Sequence, residues 1–378
     1  MLKMIRLLLS LSLFLLLTFG SVSAVFAQDT ASPQIRITQV DNSKFPQVTV
    51  YVSVTNSAGE PVAVDPSTIQ ISENGQSMQP TDVSGQGEIG TTTTLLVIDV
   101  SGSMGLSNKM AGAKDAAKAY VNQMRPGDQA GVVSFNTDVK VVQPITSDKV
   151  ALTKAIDSLQ PYGNTAMFDA LTQSVQTLGD ASGRKAIILL SDGIDNRSKH
   201  NLDDVIKTIG PAGLSISTVG LGDPKESGNN FGLDEAALKG LADQAGGVYA
   251  FSTDPAALKG IFEQRGRALQ GEYALTYISP FTLRDGVNRQ LTVSMNGVTS
   301  PVTITGQYNP GGVLPEVASQ SWPLFGGMLL GLLVLLAIPF VIGRGLEMFG
   351  GSSKKKSRVK MGQQPSASSS AKGRVRLK

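Results

Sequence analysis

Residues 34–79 alternate apolar and polar positions at period two in three runs, "QIRITQV", "QVTVYVSVTN" and "STIQISENG", separated by the turn-rich "DNSKFP" and "SAGEPVAVDP". Successive side chains leave a strand on opposite faces, so this period predicts half-buried strands. Residues 80–91, "PTDVSGQGEIGT", read as a Gly-rich link. From 92 to 270 the pattern changes. Short apolar runs ("TTLLVIDV", "QAGVVSFN", "VKVVQP", "RKAIILLSD", "LSISTVGLG", "GVYAF") alternate with "NKMAGAKDAAKAYVNQM", "DKVALTKAIDSL", "MFDALTQSVQTL", "LDDVIKTI", "LDEAALKGLADQA" and "DPAALKGIFEQRGRAL". In the second set apolar residues recur at i, i+3 and i+4, the spacing of amphipathic helices. Strands alternating with helices predict an α/β fold with a mainly parallel, doubly wound sheet covered on both faces. "FNTDVK" is too short for a crossover helix, so the second and third strands of this region should pair antiparallel.

After residue 270 period two returns in "GEYALTYISP", "NRQLTVSMNG" and "TSPVTITGQY". The β-regions 28–91 and 271–308 can form one split sandwich with the α/β region 92–270 inserted, or two separate β modules. About forty residues is a small core to stand alone, which favours the joint sandwich. Residues 309–321 contain "NPGGVLPEVASQS", a Pro/Gly linker.

The two ends of the 378-residue chain have a different character. Residues 1–27 place Lys3 and Arg6 before an apolar run and the small-residue site Val25-Phe26-Ala27, the layout of a cleaved signal peptide. An uncleaved anchor is the alternative, but the run is short and interrupted by Ser10, Ser12 and Thr18. Residues 322–343, "WPLFGGMLLGLLVLLAIPFVIG", hold no charge and are long enough for a transmembrane helix. Residues 344–378 carry ten bases against the single acid Glu347. Positive residues stay inside, so the expectation is a single-pass anchor in the cell membrane, a disordered cytoplasmic tail, and N-terminal domains outside.

This partition alters the charge balance. The whole chain is nearly neutral, with 33 bases and 30 acids. Setting aside Lys3, Arg6, the ten tail bases and Glu347 leaves 21 bases against 29 acids over residues 28–321, a net charge of about −8. So acidic a body is a poor partner for nucleic acid. The absence of cysteine removes disulfides, thiolate metal sites and cysteine catalysis together.

Against this background "TLLVIDVSGSMG", residues 94–105, is unusual: a strand pattern ends on Asp99 and runs into Ser101 and Ser103. Asp192 closes "KAIILLSDG" in the same way, and Thr165 precedes a predicted helix in "GNTAMFDAL". In a doubly wound sheet ligands collect at the carboxyl ends of the strands. Adjacent loops there would bring together Asp99, Ser101, Ser103, Thr165 and Asp192, all oxygen donors. Hard oxygens with few carboxylates suit Mg²⁺ or Ca²⁺ and suit zinc badly. Two neighbouring carboxylates also repel each other unless a cation lies between them. Taken singly, each of these residues could simply cap a helix. His200 in "DNRSKH" reads as a solvated loop residue, Asp169 as serving its helix start, Asp128 as a turn residue, and Asp195 as a lesser candidate for tuning partner choice.

"DVSGSM", the later Thr165 and "SDG" resemble the metal-ion-dependent adhesion site of von Willebrand factor type A domains, Asp-x-Ser-x-Ser, then Thr, then Asp, with all five positions present. "PGDQAGVVSFN" and "LADQAGGVYAFSTDPAALKGIF" are similar to that family's second strand and closing segment. The resemblance spans roughly residues 92–270. It implies a six-stranded Rossmann-like sheet with one antiparallel edge strand, and a Mg²⁺ ion (Ca²⁺ or Mn²⁺ as substitutes) at its top. It also implies a protein partner whose carboxylate completes the metal shell. Ser101, Ser103 and Thr165 would touch the metal most directly, and Asp99 and Asp192 partly through water.

The function this predicts is metal-dependent protein binding, in adhesion or complex assembly, without enzymatic activity. The oligomeric state stays open. A Mg²⁺-dependent phosphatase of the haloacid dehalogenase type needs Asp-x-Asp, and its acid/base position is held here by Ser101. "DVSGSMG" is no dinucleotide fingerprint, and no Gly-x-Ser-x-Gly elbow exists for a hydrolase using His200. A structural stalk without metal switching is the remaining alternative. "LPEVA" at 314–318 departs from a Leu-Pro-x-Thr-Gly sorting signal at Val317 and Ala318, so a retained membrane anchor is preferred over cell-wall attachment.

Overall fold

The computed structural model describes residues 33–312 except 180, 211–212, 223–232 and 297–301, together with a helix over 322–349 whose side chains are described from 325 to 338. The expected signal peptide, the linker beyond Gly312 and the tail beyond Phe349 lie outside the described residues. Residues up to Glu316 form one compact unit, and the C-terminal helix belongs to a second.

The first unit begins with β1 (Gln34–Asp41), β2 (Gln47–Thr55), β3 (Ile69–Glu73), β4 (Gln76–Met78) and β5 (Asp82–Ser84). The α/β region follows: β6 (Thr92–Asp99), α1 (Lys109–Gln123), β7 (Gln129–Phe135), β8 (Val139–Thr146), α2 (Lys149–Asp157), α3 (Met167–Leu178), β9 (Arg184–Ser191), α4 (Leu202–Thr208), β10 (Ser215–Leu221), α5 (Glu235–Gln244), β11 (Gly246–Ser252) and α6 (Leu258–Gln270). Then come β12 (Tyr273–Ile278), β13 (Arg289–Met295) and β14 (Val302–Tyr308).

Strands β6 to β11 form a six-stranded sheet in the order β11-β10-β9-β6-β7-β8. All neighbours are parallel except β7 and β8, which pair antiparallel at the edge. β6 lies between β9 and β7, and all eight of its residues are buried. Period two divides its side chains between two cores. Leu96 and Ile98 face the layer of α1, α2 and α6, and Leu95 and Val97 face that of α3, α4 and α5. Burial on both faces is why this strand reads as a continuous apolar run rather than an alternation.

The strands on either side of the α/β region make two further sheets, β1-β2-β12-β5 and β14-β13-β3-β4. β2 and β12 come from opposite ends of the region and pair antiparallel, with Val50 opposite Leu275. The two sheets share one core, in which Val48, Val50, Val52, Leu275, Tyr277, Leu291 and Val293 are fully buried. The α/β region is thus inserted between β5 and β12 of a single sandwich. The segment 80–91 is more than a link: Asp82–Ser84 adds an edge strand, with Val83 opposite Leu275. Three residues are too short a run to show a period.

The sandwich sits against the lower end of the six-stranded sheet, where β9, β10 and β11 begin. Gly246 starts β11 at φ +66°, and a Cβ there would lie 2.9 Å from the Thr38 carbonyl oxygen of β1. Only glycine allows both that backbone angle and that approach.

In the second unit, α7 (Trp322–Phe349) is a 28-residue helix whose described side chains are all exposed. It continues past Gly343 through Arg344–Phe349, which the sequence reading assigned to a disordered tail. Leu346, Glu347 and Met348 are good helix formers, and propagation adds a backbone bond per residue. Among the described residues no helix is long and apolar enough to cross a membrane. The expected span 322–343 extends beyond the described side chains at both ends.

Candidate metal centre

Asp99 is the last residue of β6, and Asp192 immediately follows β9. Both strands run parallel and adjacent, so both carboxylates reach the same edge of the sheet. Asp99 is 0% exposed and Asp192 2%. The backbone N–H of Ser101 donates to Asp99 Oδ1 at 2.7 Å, and the Ser191 hydroxyl donates to Oδ2 at 2.7 Å. Burial, and after it the negative charge of Asp192, push the Asp99 carboxyl up to about 6.

The chain then folds back through a 3₁₀ turn at Gly102–Gly105. This brings the Ser101 and Ser103 hydroxyls within 3.1 Å of each other, and Ser103 donates to Asp192 Oδ1 at 2.8 Å. Gly102 donates its N–H to the carbonyl of Gly163, pinning this turn to the loop that carries Thr165. Thr165 is 4% exposed, and its backbone is clamped by Asn196. Its N–H donates to Asn196 Oδ1 at 3.1 Å, and its carbonyl accepts from the N–H of Asn196 at 3.0 Å and of Arg197 at 3.1 Å. Its hydroxyl oxygen lies 3.7 Å from where a Cβ on Gly193 would be, beside Asp192.

Hydrogen bonds thus connect Asp99 to Ser101, Ser101 to Ser103 and Ser103 to Asp192, and the Thr165 hydroxyl lies beside Gly193, the residue after Asp192. Among the described residues no group of three or more His, Cys, Asp or Glu is placed to hold a metal ion. The donor set is two carboxylates and three hydroxyls, with no nitrogen or sulfur. Such a set fits a hard divalent cation held with few charges. The raised Asp99 carboxyl follows from its burial and from the negative charge of the neighbouring Asp192.

Lys109 is a participant that the sequence reading missed. It opens α1 after Ser107 and Asn108, which adopt positive φ angles of 51° and 58°. Left-handed backbone is costly in non-glycine residues and persists where the surroundings enforce it. Here it delivers the Lys109 ammonium to within 2.7 Å of Asp192 Oδ2. Lys109 thus supplies a positive charge to the same acid that Ser103 contacts. Ser191 was also missed, although it lies next to Asp192 in "SDG".

The secondary candidates lie elsewhere or do other work. Asp128 anchors the opposite end of the sheet, accepting from the Thr92 N–H at 2.9 Å and pairing with Arg125 at 3.1 Å. Asp195 accepts from the Phe168 N–H at 3.0 Å and from the Ser198 hydroxyl at 2.6 Å, holding the start of α3. Asp169 binds the His200 ring at 2.7 Å and the N–H groups of Lys199 and His200 at 3.0 Å each. His200 is thereby engaged at the surface, away from the two buried acids.

Residues 94–194 match the family described as von Willebrand factor type A domain. Over these residues the chain is similar to von Willebrand factor type A domains. The family often mediates metal-dependent protein interactions, and its adhesion site commonly binds a divalent metal. A UPF0353 protein of Mycolicibacterium paratuberculosis is 33% identical over 149 residues, covering 34% of this chain and 44% of the relative. The chain thus aligns with less than half the length of that relative. A von Willebrand factor type A structure from Catenulispora acidiphila is 17% identical, with a TM-score of 0.43, covering 73% of this chain and 72% of that one. Proximal thread matrix protein 1 from the mussel byssus, with a zinc-occupied MIDAS motif, is 20% identical with a TM-score of 0.43, covering 52% and 49%.

Proposed function

We propose that this chain is a metal-dependent protein-binding module displayed on the outer face of a cell membrane. Asp99, Ser101, Ser103, Thr165 and Asp192 would hold a Mg²⁺ ion. The observation that carries this reading is the meeting of two almost fully buried carboxylates with the Ser101 and Ser103 hydroxyls at one sheet edge, beside the loop that carries Thr165. The metal, when bound, offers a positive centre to a carboxylate of a protein partner. The residues around it do the rest. Ser191 and the Ser101 N–H fix Asp99, Asn196 fixes Thr165, and Ser103 orients Asp192. The acidic body repels a partner of like charge, so specificity would rest on one carboxylate docking at the metal and on uncharged contacts around it.

A non-enzymatic role is part of this reading, since Ser101 stands where an acid/base would be needed for phosphoryl transfer. Titrating the full-length protein in detergent with MgCl₂ by calorimetry tests the site. Saturable heat is expected, and it should disappear in Asp99→Ala; equal heat in the variant would refute the assignment. A pull-down from native membranes with and without chelator tests the partner contact. Recovery of the partner should depend on metal.

The membrane placement rests on the uncharged residues 322–343 and the ten bases that follow. Mass spectrometry of the membrane-extracted protein should find tail peptides from 344–378 and none from 1–27. A mature protein lacking the tail would replace the retained anchor with a processed one.

A further inference from the structure

The end of the six-stranded sheet opposite the metal centre encloses a cavity of about 280 Å³ between the α/β domain and the sandwich. Three arginines line it: Arg36 from β1 of the sandwich, Arg184 at the start of β9, and Arg265 from α6. One acid, Glu272, lines it with them, and it is already used. The Arg184 guanidinium, 0% exposed, pairs with it through two contacts, Nε to Oε2 at 2.5 Å and Nη2 to Oε1 at 2.9 Å.

Arg265 has no such partner. It is 7% exposed, and its Nη2 donates to the neutral Gln264 Oε1 at 3.1 Å, while its buried Nε meets no acceptor. Among the described residues no carboxylate forms an ion pair with it. Glu60, whose charge does reach Arg265, is bonded to Arg267 instead, at 2.8 Å. Arg36 is scarcely better matched, its contact being Asp243 at 3.9 Å, with both side chains substantially exposed. Burial and the like charge of Arg36 both act to lower the Arg265 pKa. A guanidinium cannot respond by losing its proton at neutral pH. Leaving a buried charge uncompensated is strongly destabilising, and guanidinium forks match planar or tetrahedral oxyanions.

We propose that this cavity is a binding site for a small oxyanion, held by Arg265 with Arg36 at the cavity rim. The ligand would carry a carboxylate or phosphate group and would bridge the two domains, since β1 and α6 supply the two cations. Thr38 and Ser53 of the sandwich and Ser217 of the sheet line the same space and add hydroxyls for its remaining oxygens.

Calorimetric titration of the full-length protein in detergent with inorganic phosphate, and separately with acetate, tests this. Saturable binding of at least one is expected, with affinity about tenfold weaker in Arg265→Gln and in Arg36→Gln. Preference for phosphate would identify a phosphorylated ligand, and preference for acetate a carboxylate. Arg36 is partly exposed, so Arg36→Gln keeps the test valid if Arg265→Gln fails to fold. Absence of binding by both anions, or unchanged affinity in Arg36→Gln, would overturn the proposal. So would an Arg265→Met protein that melts higher than wild type while anion leaves the wild-type melt unmoved. Mg²⁺ binding at Asp99 should be the same in Arg36→Gln, so failure here is distinguishable from failure of the metal reading.

Discussion

A divalent cation at the proposed centre would compete with Lys109 for one carboxylate. The ammonium lies 2.7 Å from Asp192 Oδ2, and it offsets part of the repulsion between Asp192 and Asp99. Lys109→Met should therefore tighten Mg²⁺ about tenfold and lower the melting temperature of the metal-free protein. Weaker Mg²⁺ binding in this variant would mean that Lys109 positions Asp192 rather than competing for it. Asp99 supports a second prediction. Its carboxyl is pushed up to about 6 by burial and by Asp192, against about 3.9 in an unfolded chain. Between those values the folded state binds more protons than the unfolded one. Its contribution is thus fully present below about pH 4 and lost as pH rises through about 6. With chelator present, the melting temperature of wild type should fall between pH 4 and 7 more than that of Asp99→Asn. Parallel curves for the two proteins would refute this, and saturating Mg²⁺ should flatten the wild-type curve.

Among the elements, β2 and β12 bear the structural consequence of the insertion. They neighbour each other in the middle of one sheet, yet the whole α/β domain separates them in sequence. Leu275 is fully buried between the sandwich sheets, so Leu275→Ala should cost about 2–5 kcal/mol. A urea titration that finds less than about 1 kcal/mol would indicate that the sandwich core relaxes around the change. The strands and helices of the α/β domain were legible because short continuous apolar runs alternate there with amphipathic stretches of period 3.6. The meeting of Asp99 and Asp192 was legible because the ends of adjacent parallel strands reach one edge of the sheet. β5 was not, since Asp82–Ser84 gives three residues and no period. Lys109 was not, because only two left-handed residues before α1 bring it back to Asp192. The Arg184–Glu272 pair was not legible either: its partners are 88 residues apart and meet only once the insertion is folded onto the sandwich.

At the scale of the whole molecule the question is whether the metal centre communicates with the stalk. α6 runs into β12 through Gly271 and Glu272, so any slide of α6 along the sheet must act on the centre of the sandwich. Three contacts oppose that slide. Gln264 Nε2 donates to the Ala58 carbonyl at 2.6 Å, Arg267 pairs with Glu60 at 2.8 Å, and Glu272 is fixed by Arg184. The Arg267–Glu60 pair is exposed and contributes little, about 0–1 kcal/mol. The Arg184–Glu272 pair is different: both partners are buried, and breaking it by removing one costs about 3–5 kcal/mol. Typical coupling between two sites is about 1–3 kcal/mol, less than that cost. The junction should therefore hold α6 in place, and the sandwich should act as a rigid stalk. A single engineered disulfide between α1 and α6 tests this, because the chain has no native cysteine to interfere. The locked protein should bind Mg²⁺ and its partner within about twofold of the reduced form. A change of about fivefold or more, reversed by reduction, would correspond to at least about 1 kcal/mol of coupling and would show that α6 moves when the metal centre is engaged.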